Sequence, residues 1–428
     1  MSTREKPDQK KKLMLLTEAY PYGNGEPFLI SEIPHLCRLF SVSIVTSDTT
    51  SPLLKELPLG VPVHRLKNTL TLGERFKYGF FFYTHAICWK ELACVVKSKE
   101  NRIRRIMQSI SMYSMGTMWY GLLTKLKDFD EQDILYSYWY NDKLIGTALA
   151  LRKKKSKPML MSRLHGYDLF NERKTGTGRQ PFKPLLDPFV DHLFFVSRAG
   201  YVYYQSTFGF ETPGRYSVSR LGSHNSFGTG KPHAADGLTL VSCSNVIPLK
   251  RVELIVRALA LLDGIQVSWT HIGGGISLQS VQDLAGLALG AKDTIDFAFM
   301  GIVQNSHIHA YYQSHAIDCF ISVSQTEGGC PVSIQEAMSY GIPIIGTSVG
   351  GIPEMIEGNG ILLPADPSEA QVAQAIRDMV GAKADGSVEE MRRASRLVWE
   401  DRFNADVNFM QFAQEIDLLH VNTCSDRE

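Results

Sequence analysis

Short apolar runs alternate with longer amphipathic stretches along almost the whole chain, the pattern of parallel strands covered by helices on both faces. In the first half, residues 13–17, 42–46, 134–137, 159–164 and 193–197 predict strands. A second series follows at 238–243, 267–272, 295–300, 319–323, 343–346 and 361–363. Between the series, residues 222–232 are rich in Gly and Ser and predict a linker. The expected architecture is α/β: two doubly wound, Rossmann-like domains, 1–220 and 237–395, joined by a linker at 221–236. Helices at 396–428 are expected to pack back on the first domain. Two such domains in tandem would set the carboxyl ends of their strands, where open α/β sheets take ligands, across a shared cleft.

Residues 70–127 interrupt the alternation. Phe76, Tyr78, Phe80, Phe81, Phe82, Tyr83 and Trp89 are followed by Lys97, Lys99, Arg102, Arg104 and Arg105. Two readings stand: a pair of helices with a buried aromatic face and a solvated basic one, or a surface at 76–105 that meets a membrane or a long acceptor. Lys153-Lys154-Lys155 is likewise either a solvated helix end or a lipid-headgroup site.

Composition narrows the partners. A chain of 428 residues has room for two or three domains, and 45 Lys and Arg against 44 Asp and Glu leave no basic excess to suggest nucleic acid. The seven cysteines (37, 88, 94, 243, 319, 330 and 424) are odd in number and lack metal-type spacing, so they are expected to be reduced, in a cytoplasmic protein. The charged stretch 1–12 precedes only a short apolar run at 13–16, which predicts neither a signal peptide nor a membrane span. If the insertion does touch lipid, the contact would be peripheral, at the inner membrane face.

The candidate chemistry concentrates at 327–354. An apolar run at 319–323 leads to Glu327 and then to Gly328, Gly329 and Cys330, with Pro331 and Val332 opening a helix. Unpaired N–H groups at such a helix start suit an anion. Glu336 falls about a turn and a half into that helix, and its two oxygens can accept hydrogen bonds from the neighbouring hydroxyls of a diol. Phosphate plus diol points to a nucleotide sugar. Four further clusters sit at predicted strand ends: the turn with Gly23 and Gly25, His165 followed by glycine, Asn245 through Lys250 and Arg251, and the loops holding Gly274 and Gly301-Ile302. Gly350-Gly351-Ile352-Pro353-Glu354 opens one more helix, whose N–H groups could share a pyrophosphate.

Together these motifs resemble the GT4 family of retaining glycosyltransferases (glycosyl transferases group 1), which have the two-domain GT-B fold. The resemblance covers nearly the whole chain. It implies that the Gly23/Gly25 loop closes over donor phosphates and acceptor, that His165 lies beside the transferred sugar, and that Lys250 holds the diphosphate. It further implies that Glu336 binds ribose, that Glu327 contacts the donor sugar, and that Gly274, Gly301 and Ile302 border the nucleotide. Two departures stand out. Asn245 replaces the arginine of the family's Arg-x4-Lys, so that either Arg251 supplies the missing charge or Asn245 donates a neutral hydrogen bond. Eight residues separate Glu327 from Glu336 where the family has seven.

The implied activity is retaining transfer of a hexosyl group from a nucleoside-diphosphate sugar to a saccharide or lipid-linked saccharide. No metal and no cofactor are needed; Asp128-Phe129-Asp130 spells the Asp-x-Asp of metal-dependent transferases but stands apart from the other motifs. The alternatives are a sugar-nucleotide epimerase or a phosphorylase on the same fold, or a non-catalytic nucleotide-sugar-binding protein.

Overall fold

The computed structural model describes residues 10–425 apart from 24, 48–50, 54, 68, 98–99, 153, 155–156, 175, 210–211, 213 and 232–236. Asn24, Lys99, Lys153, Lys155, the linker from 232 onward and the charged segment before Lys10 lie outside the described residues, as do the side chains of Phe76 and Cys424. The chain divides into two compact units, the first comprising 1–219 and 409–428 and the second 220–408.

The first unit runs β1 (Lys11–Thr17), α1 (Leu29–Leu39), β2 (Phe40–Thr46), β3 (Val63–Arg65), α2 (Leu72–Phe82), α3 (Ala86–Val96) and α4 (Arg102–Leu123). It continues through β4 (Ile134–Ser137), α5 (Asp142–Leu151), β5 (Met159–Leu164), α6 (Gly166–Leu169), α7 (Lys183–Leu186), β6 (His192–Phe195), α8 (Arg198–Phe208) and β7 (Tyr216–Val218). The strands pair in the order β3-β2-β1-β4-β5-β6-β7, all parallel. Met14 and Leu16 of β1 join one buried cluster with Trp119 and Leu144, while Leu13 and Leu15 join another with Ile33 and Phe412. Burial on both faces is why these runs are continuously apolar. The sequence reading misses β3 and β7: each is three residues long, lies at an edge and is only partly buried, so it carries little apolar signal.

The insertion forms three helices, α2, α3 and α4, and not a pair. Its aromatic residues divide: Phe82 and Tyr113 are buried, whereas Phe80, Phe81, Tyr83 and Trp89 are exposed. Helices α4 and α5 pack closely at Gly146, where a Cβ would lie 2.5 Å from Trp119 Cβ and 2.7 Å from the Gly116 carbonyl oxygen.

The second unit runs β8 (Leu238–Cys243), α9 (Val252–Ala260), β9 (Val267–Ile272), α10 (Leu278–Leu289), β10 (Ile295–Gly301), α11 (Asn305–Ser314), β11 (Cys319–Ser322) and α12 (Val332–Ser339). Then come β12 (Ile344–Thr347), β13 (Gly360–Leu363), α13 (Glu369–Ala384) and α14 (Val388–Arg402), with α15 (Ala405–Ser425) last in the chain. Its parallel strands pair in the order β10-β9-β8-β11-β12-β13. Leu240 and Ile321 face one cluster, Val241 and Phe320 the other.

The described part of the expected linker is fastened to this unit. Ser223 N donates to the Phe403 carbonyl at 3.0 Å, Asn225 Nδ2 to the Ser339 carbonyl at 2.7 Å and Gly230 N to the Tyr340 carbonyl at 2.7 Å. Helix α14 belongs here too, because Trp399 and Phe403 are buried in the same cluster as Val241. The first unit therefore resumes at 409, inside α15, later than the 396 expected, and Phe412, Ala413 and Ile416 are the side chains that join its core. Among the described residues, no helix is long and apolar enough to cross a membrane.

Candidate functional site

In each sheet the strand order reverses beside the unit's first strand, between β1 and β4 and between β8 and β11. Loops leaving the carboxyl ends diverge at such a point and leave a crevice for ligand. Each unit has a cavity lined by residues from those strand ends.

The second-unit cavity, about 380 Å³, brings together Asn245, Lys250, Gly274, Ile302, Glu327, Pro331 and Val332, all singled out in the sequence. Lys250 Nζ and Glu327 Oε1 form an ion pair within it. Among the described side chains none caps the start of α12, so the first-turn N–H groups, which have no intrahelical partner, are offered to the cavity where Pro331, Val332 and Ser333 line it. The loop before α12 is fixed from two sides. Gln335 Nε2 donates to the Cys330 carbonyl at 2.9 Å, and Gly351 N to the Gly329 carbonyl at 3.0 Å. That second contact requires glycine at 350, where φ is +53° and a Cβ would sit 2.3 Å from the Glu327 carbonyl oxygen. The long Glu327–Glu336 spacing is thus accommodated before the helix.

Glu336 lies just behind the lining, 6% exposed. It accepts a 2.6 Å hydrogen bond from Asn305 Nδ2, and His309 Nε2 stands 3.9 Å away. Burial pushes its pKa up, with the Asn305 bond opposing. Asn305 and His309 escaped the sequence reading, although Asn305 begins the helix that follows Ile302.

Arg251, Gly301, Gly328, Gly329, Cys330 and Glu354 are, like Glu336, not in the lining. Arg251 serves as a structural tie. Its Nε donates to the Val323 carbonyl at 2.7 Å, Nη2 to the carbonyls of Ser324 and Ala365, and Nη1 to Asp366. It holds three loops together from outside the cavity lining. Gly301 gives its carbonyl to Gly273 N at 2.9 Å. Gly328, Gly329 and Cys330 form the loop beside the cavity, with Cys330 Sγ donating to the Gly351 carbonyl and its thiol pKa raised by burial. Glu354, in a single 3-10 turn, pairs with Arg220 at 2.6 Å.

In the first unit His165 immediately follows β5 and is 8% exposed. Its ring lies between Tyr138 and Trp139, with centroids 4.6 and 4.5 Å away, and neither nitrogen has a hydrogen-bond partner of normal geometry. Burial, with the Arg163 guanidinium second, holds its pKa well below the ordinary value, so the imidazole is neutral. His165 is in the lining of neither cavity; the neighbouring Trp139, Tyr167 and Asp168 line that of the first unit. Asp168 fixes the turn by accepting from His165 N and Tyr140 N, each at 2.7 Å.

In the glycine loop Gly23 has φ of +64°, and Gly25 packs closely, a Cβ there lying 3.1 Å from Ala19 Cβ. The N–H groups of Glu18, Ala19 and Tyr20 do not stand open for a phosphate. The buried carboxylate of Glu26 takes all three, at 2.6, 2.9 and 2.8 Å, and Trp139 Nε1 at 2.7 Å. Gly25, Glu26 and Trp139 all line the first-unit cavity, about 590 Å³. In Asp128-Phe129-Asp130, Asp128 meets His64 and Asp130 pairs with Lys154. Among the described residues no three His, Cys, Asp or Glu are grouped to hold a metal ion.

A comparison with known families bears directly on the second cavity. Residues 237–381 match the family Glycosyl transferases group 1. Within curated proteins, 125 residues are 30% identical to the amylovoran biosynthesis glycosyltransferase AmsK of Erwinia amylovora, covering 28% of this chain and 30% of that protein. A stretch of 114 residues is 33% identical to the O-antigen biosynthesis glycosyltransferase WbnH of Escherichia coli, covering 27% and 30%. The chain thus spans under a third of the length of these two relatives. Solved structures extend the likeness to both units. Anabaena Alr3699/HepE in complex with UDP and glucose aligns with a TM-score of 0.62 at 16% identity, over 95% of this chain and 99% of that one. The apo form of the lipopolysaccharide outer core galactosyltransferase WaaB aligns at 0.65 and 16%, with the same coverage. The fold is α/β of the GT-B type, with two Rossmann-like domains.

Proposed function

We propose that the chain is a glycosyltransferase of the GT4 kind, moving a hexosyl group from a nucleoside-diphosphate sugar to a saccharide or lipid-linked saccharide with retention of anomeric configuration and without a metal. The observation that carries this reading is the second-unit cavity, where the Lys250–Glu327 pair and the uncapped start of α12 converge, with buried Glu336 behind them. Negative charge grows on the diphosphate as the glycosidic bond breaks. Lys250 and the α12 N–H groups stabilise that charge more than the ground state, which is what lowers a barrier. Glu327, freed from Lys250 by the incoming phosphate, accepts hydrogen bonds from the sugar hydroxyls, and Glu336 accepts them from ribose. Asn245 contributes a neutral donor, so Lys250 is the one charged phosphate ligand among the residues assigned to the diphosphate. His165 offers a neutral ring to a sugar hydroxyl and acts by positioning.

The names of AmsK and WbnH, with their biosynthetic polysaccharides, support a saccharide acceptor, and the UDP and glucose of HepE support a uridine donor. Exposed Phe80, Phe81, Tyr83 and Trp89 among exposed Lys77, Lys90 and Lys97 support peripheral contact with an anionic membrane from the cytoplasmic side. Co-sedimentation with anionic vesicles at low salt tests this contact, and protein left in the supernatant contradicts it.

Release of nucleoside diphosphate from UDP-, GDP- and ADP-hexoses, followed with a mixed saccharide acceptor, tests the activity. Turnover should survive EDTA, and Lys250→Ala should lower it on the order of 100-fold. Full turnover in Lys250→Ala contradicts the assignment, and inversion at the product's anomeric carbon contradicts retention.

A further inference from the structure

The cavity of the first unit is chemically polarised, and its polarity specifies an acceptor. We propose that it recognises a glycosyl phosphate: a sugar ring at the inner end, and a phosphate on the ring's anomeric oxygen at the outer end, held by Arg104 with Lys174. This rests on the reading of the first unit as the acceptor-binding half of a glycosyltransferase.

The inner end is built for a polyhydroxylated ring. Trp139 gives an aromatic face on which the C–H face of a pyranose can lie, and Glu18 and Asp142 give carboxylate oxygens to accept from its hydroxyls. Gln108 Oε1, from another residue of the lining, is buried without a hydrogen-bond partner. A phosphate at this end would face Glu18, Asp142 and Glu26. The Glu26 carboxylate already fills the cradle made by the N–H groups of residues 18–20, and Lys143 is buried in an ion pair with Glu18. Like-charge repulsion in a partly desolvated cavity therefore excludes an anion here.

The sign changes along α4. Gln108, Ser111, Met112 and Met115 form one wall of the cavity and occupy one face of the helix. One turn towards the helix start, the same face carries Arg104 and Arg105. Arg105 Nε is engaged by the Thr177 carbonyl at 2.7 Å. Arg104 is exposed, and its Nη1 lies 3.5 Å from where a Cβ on Gly176 would be. Gly176 is two residues from Lys174, which lines the cavity and holds Nζ 3.5 Å above the Tyr167 ring. At 1.5 Å of rise per residue, Arg104 stands about 6 to 10 Å along the axis from Gln108 and Ser111, the reach of one sugar ring with its glycosidic link. A planar guanidinium at that distance suits a phosphate.

Glycosyl phosphates occur as soluble sugar 1-phosphates and as lipid-linked diphosphates, and one titration series separates them. The full chain, with UDP in excess to occupy the second-unit cavity, is titrated with the 1-phosphates of glucose, galactose, mannose and N-acetylglucosamine, then with the matching methyl glycosides and 6-phosphates. At least one 1-phosphate should bind about tenfold tighter than its methyl glycoside and its 6-phosphate, as one charge-assisted contact warrants. Arg104→Ala should erase that advantage and leave methyl glycoside binding unchanged, whereas Gln108→Leu should weaken both ligands alike. A farnesyl diphosphate glycoside of the same sugar then identifies the source: tighter binding than the 1-phosphate means a lipid-linked acceptor, equal binding a soluble one. The proposal is overturned if the methyl glycoside binds as tightly as the 1-phosphate, if Arg104→Ala keeps the preference, or if no sugar binds. UDP affinity, measured in the same samples, reports separately on the proposed function, since neither variant touches the second unit.

Discussion

Arg163 carries a full charge through the middle of β5 with no exposure, and Glu32 on α1, equally buried, meets it at 2.7 Å. Burial raises the Glu32 pKa and the guanidinium opposes that rise. Arg163 also donates to the Ser219 carbonyl at 2.8 Å and lies 4.3 Å from the Phe412 ring, so it gathers α1, the residue after β7 and α15 around β5. Removing one partner strands a buried charge. Glu32→Leu should cost about 3–5 kcal/mol in urea unfolding, and pairing it with Arg163→Met should recover most of the loss; equal losses in the single and double variants would contradict this. A second residue-level prediction concerns acid. Burial first, then Arg215, lowers the His192 pKa from its usual value to about 4. A depressed histidine gives its full stability above the unfolded pKa of about 6.5 and loses it as pH falls towards the folded value. Between pH 6 and 4.5, His192→Gln should therefore flatten the fall of unfolding free energy by up to ~1.4 kcal/mol per pH unit. Unchanged slopes would mean that His192 titrates normally in the fold. At this scale Lys250, Glu327 and Glu336 were legible because each follows a recognisable strand end. Arg251, Glu26 and Asn305 were not. Arg251 bonds to residues 323, 324, 365 and 366, a set that becomes visible only once the sheet is assembled.

At the scale of elements, long apolar strands were legible and short edge strands were not. β3 and β7 have three residues each and offer no periodicity to detect. One reading of the insertion was a pair of helices where three are found, since its apolar residues divide between core and solvent and blur the 3.6-residue period. Its longest helix, α4, meets α5 at Gly146 with no space for a methyl group. Gly146→Ala should destabilise the first unit by roughly 1–3 kcal/mol through overpacking, read as a lower melting temperature; an unchanged or raised midpoint would show that the crossing can yield. In the second unit, Gly350→Ala should push the Glu327 loop out of place and weaken donor binding while leaving the sheet folded, which titration alongside circular dichroism would reveal.

At the scale of the molecule, the tandem of two doubly wound units followed from the order of apolar runs alone. The exact seams did not. Residues 222–231 are polar and glycine-rich in sequence, yet they lie fastened along α12 and α14 by hydrogen bonds that composition does not encode. α15 begins in one unit and continues in the other, because Phe412 and Ile416 complete an apolar face of the first sheet. What the whole chain is proposed to do depends on the second unit holding a nucleoside-diphosphate sugar. Calorimetric titration of the full chain and of Glu336→Gln with UDP-, GDP- and ADP-hexoses tests this most directly, since the amide keeps the shape and one carbonyl oxygen for Asn305 but loses the paired acceptor for a diol. One nucleotide class should bind the natural chain, and Glu336→Gln should bind it at least about tenfold more weakly. Absence of binding by all three, or equal affinity in the variant, would contradict the account.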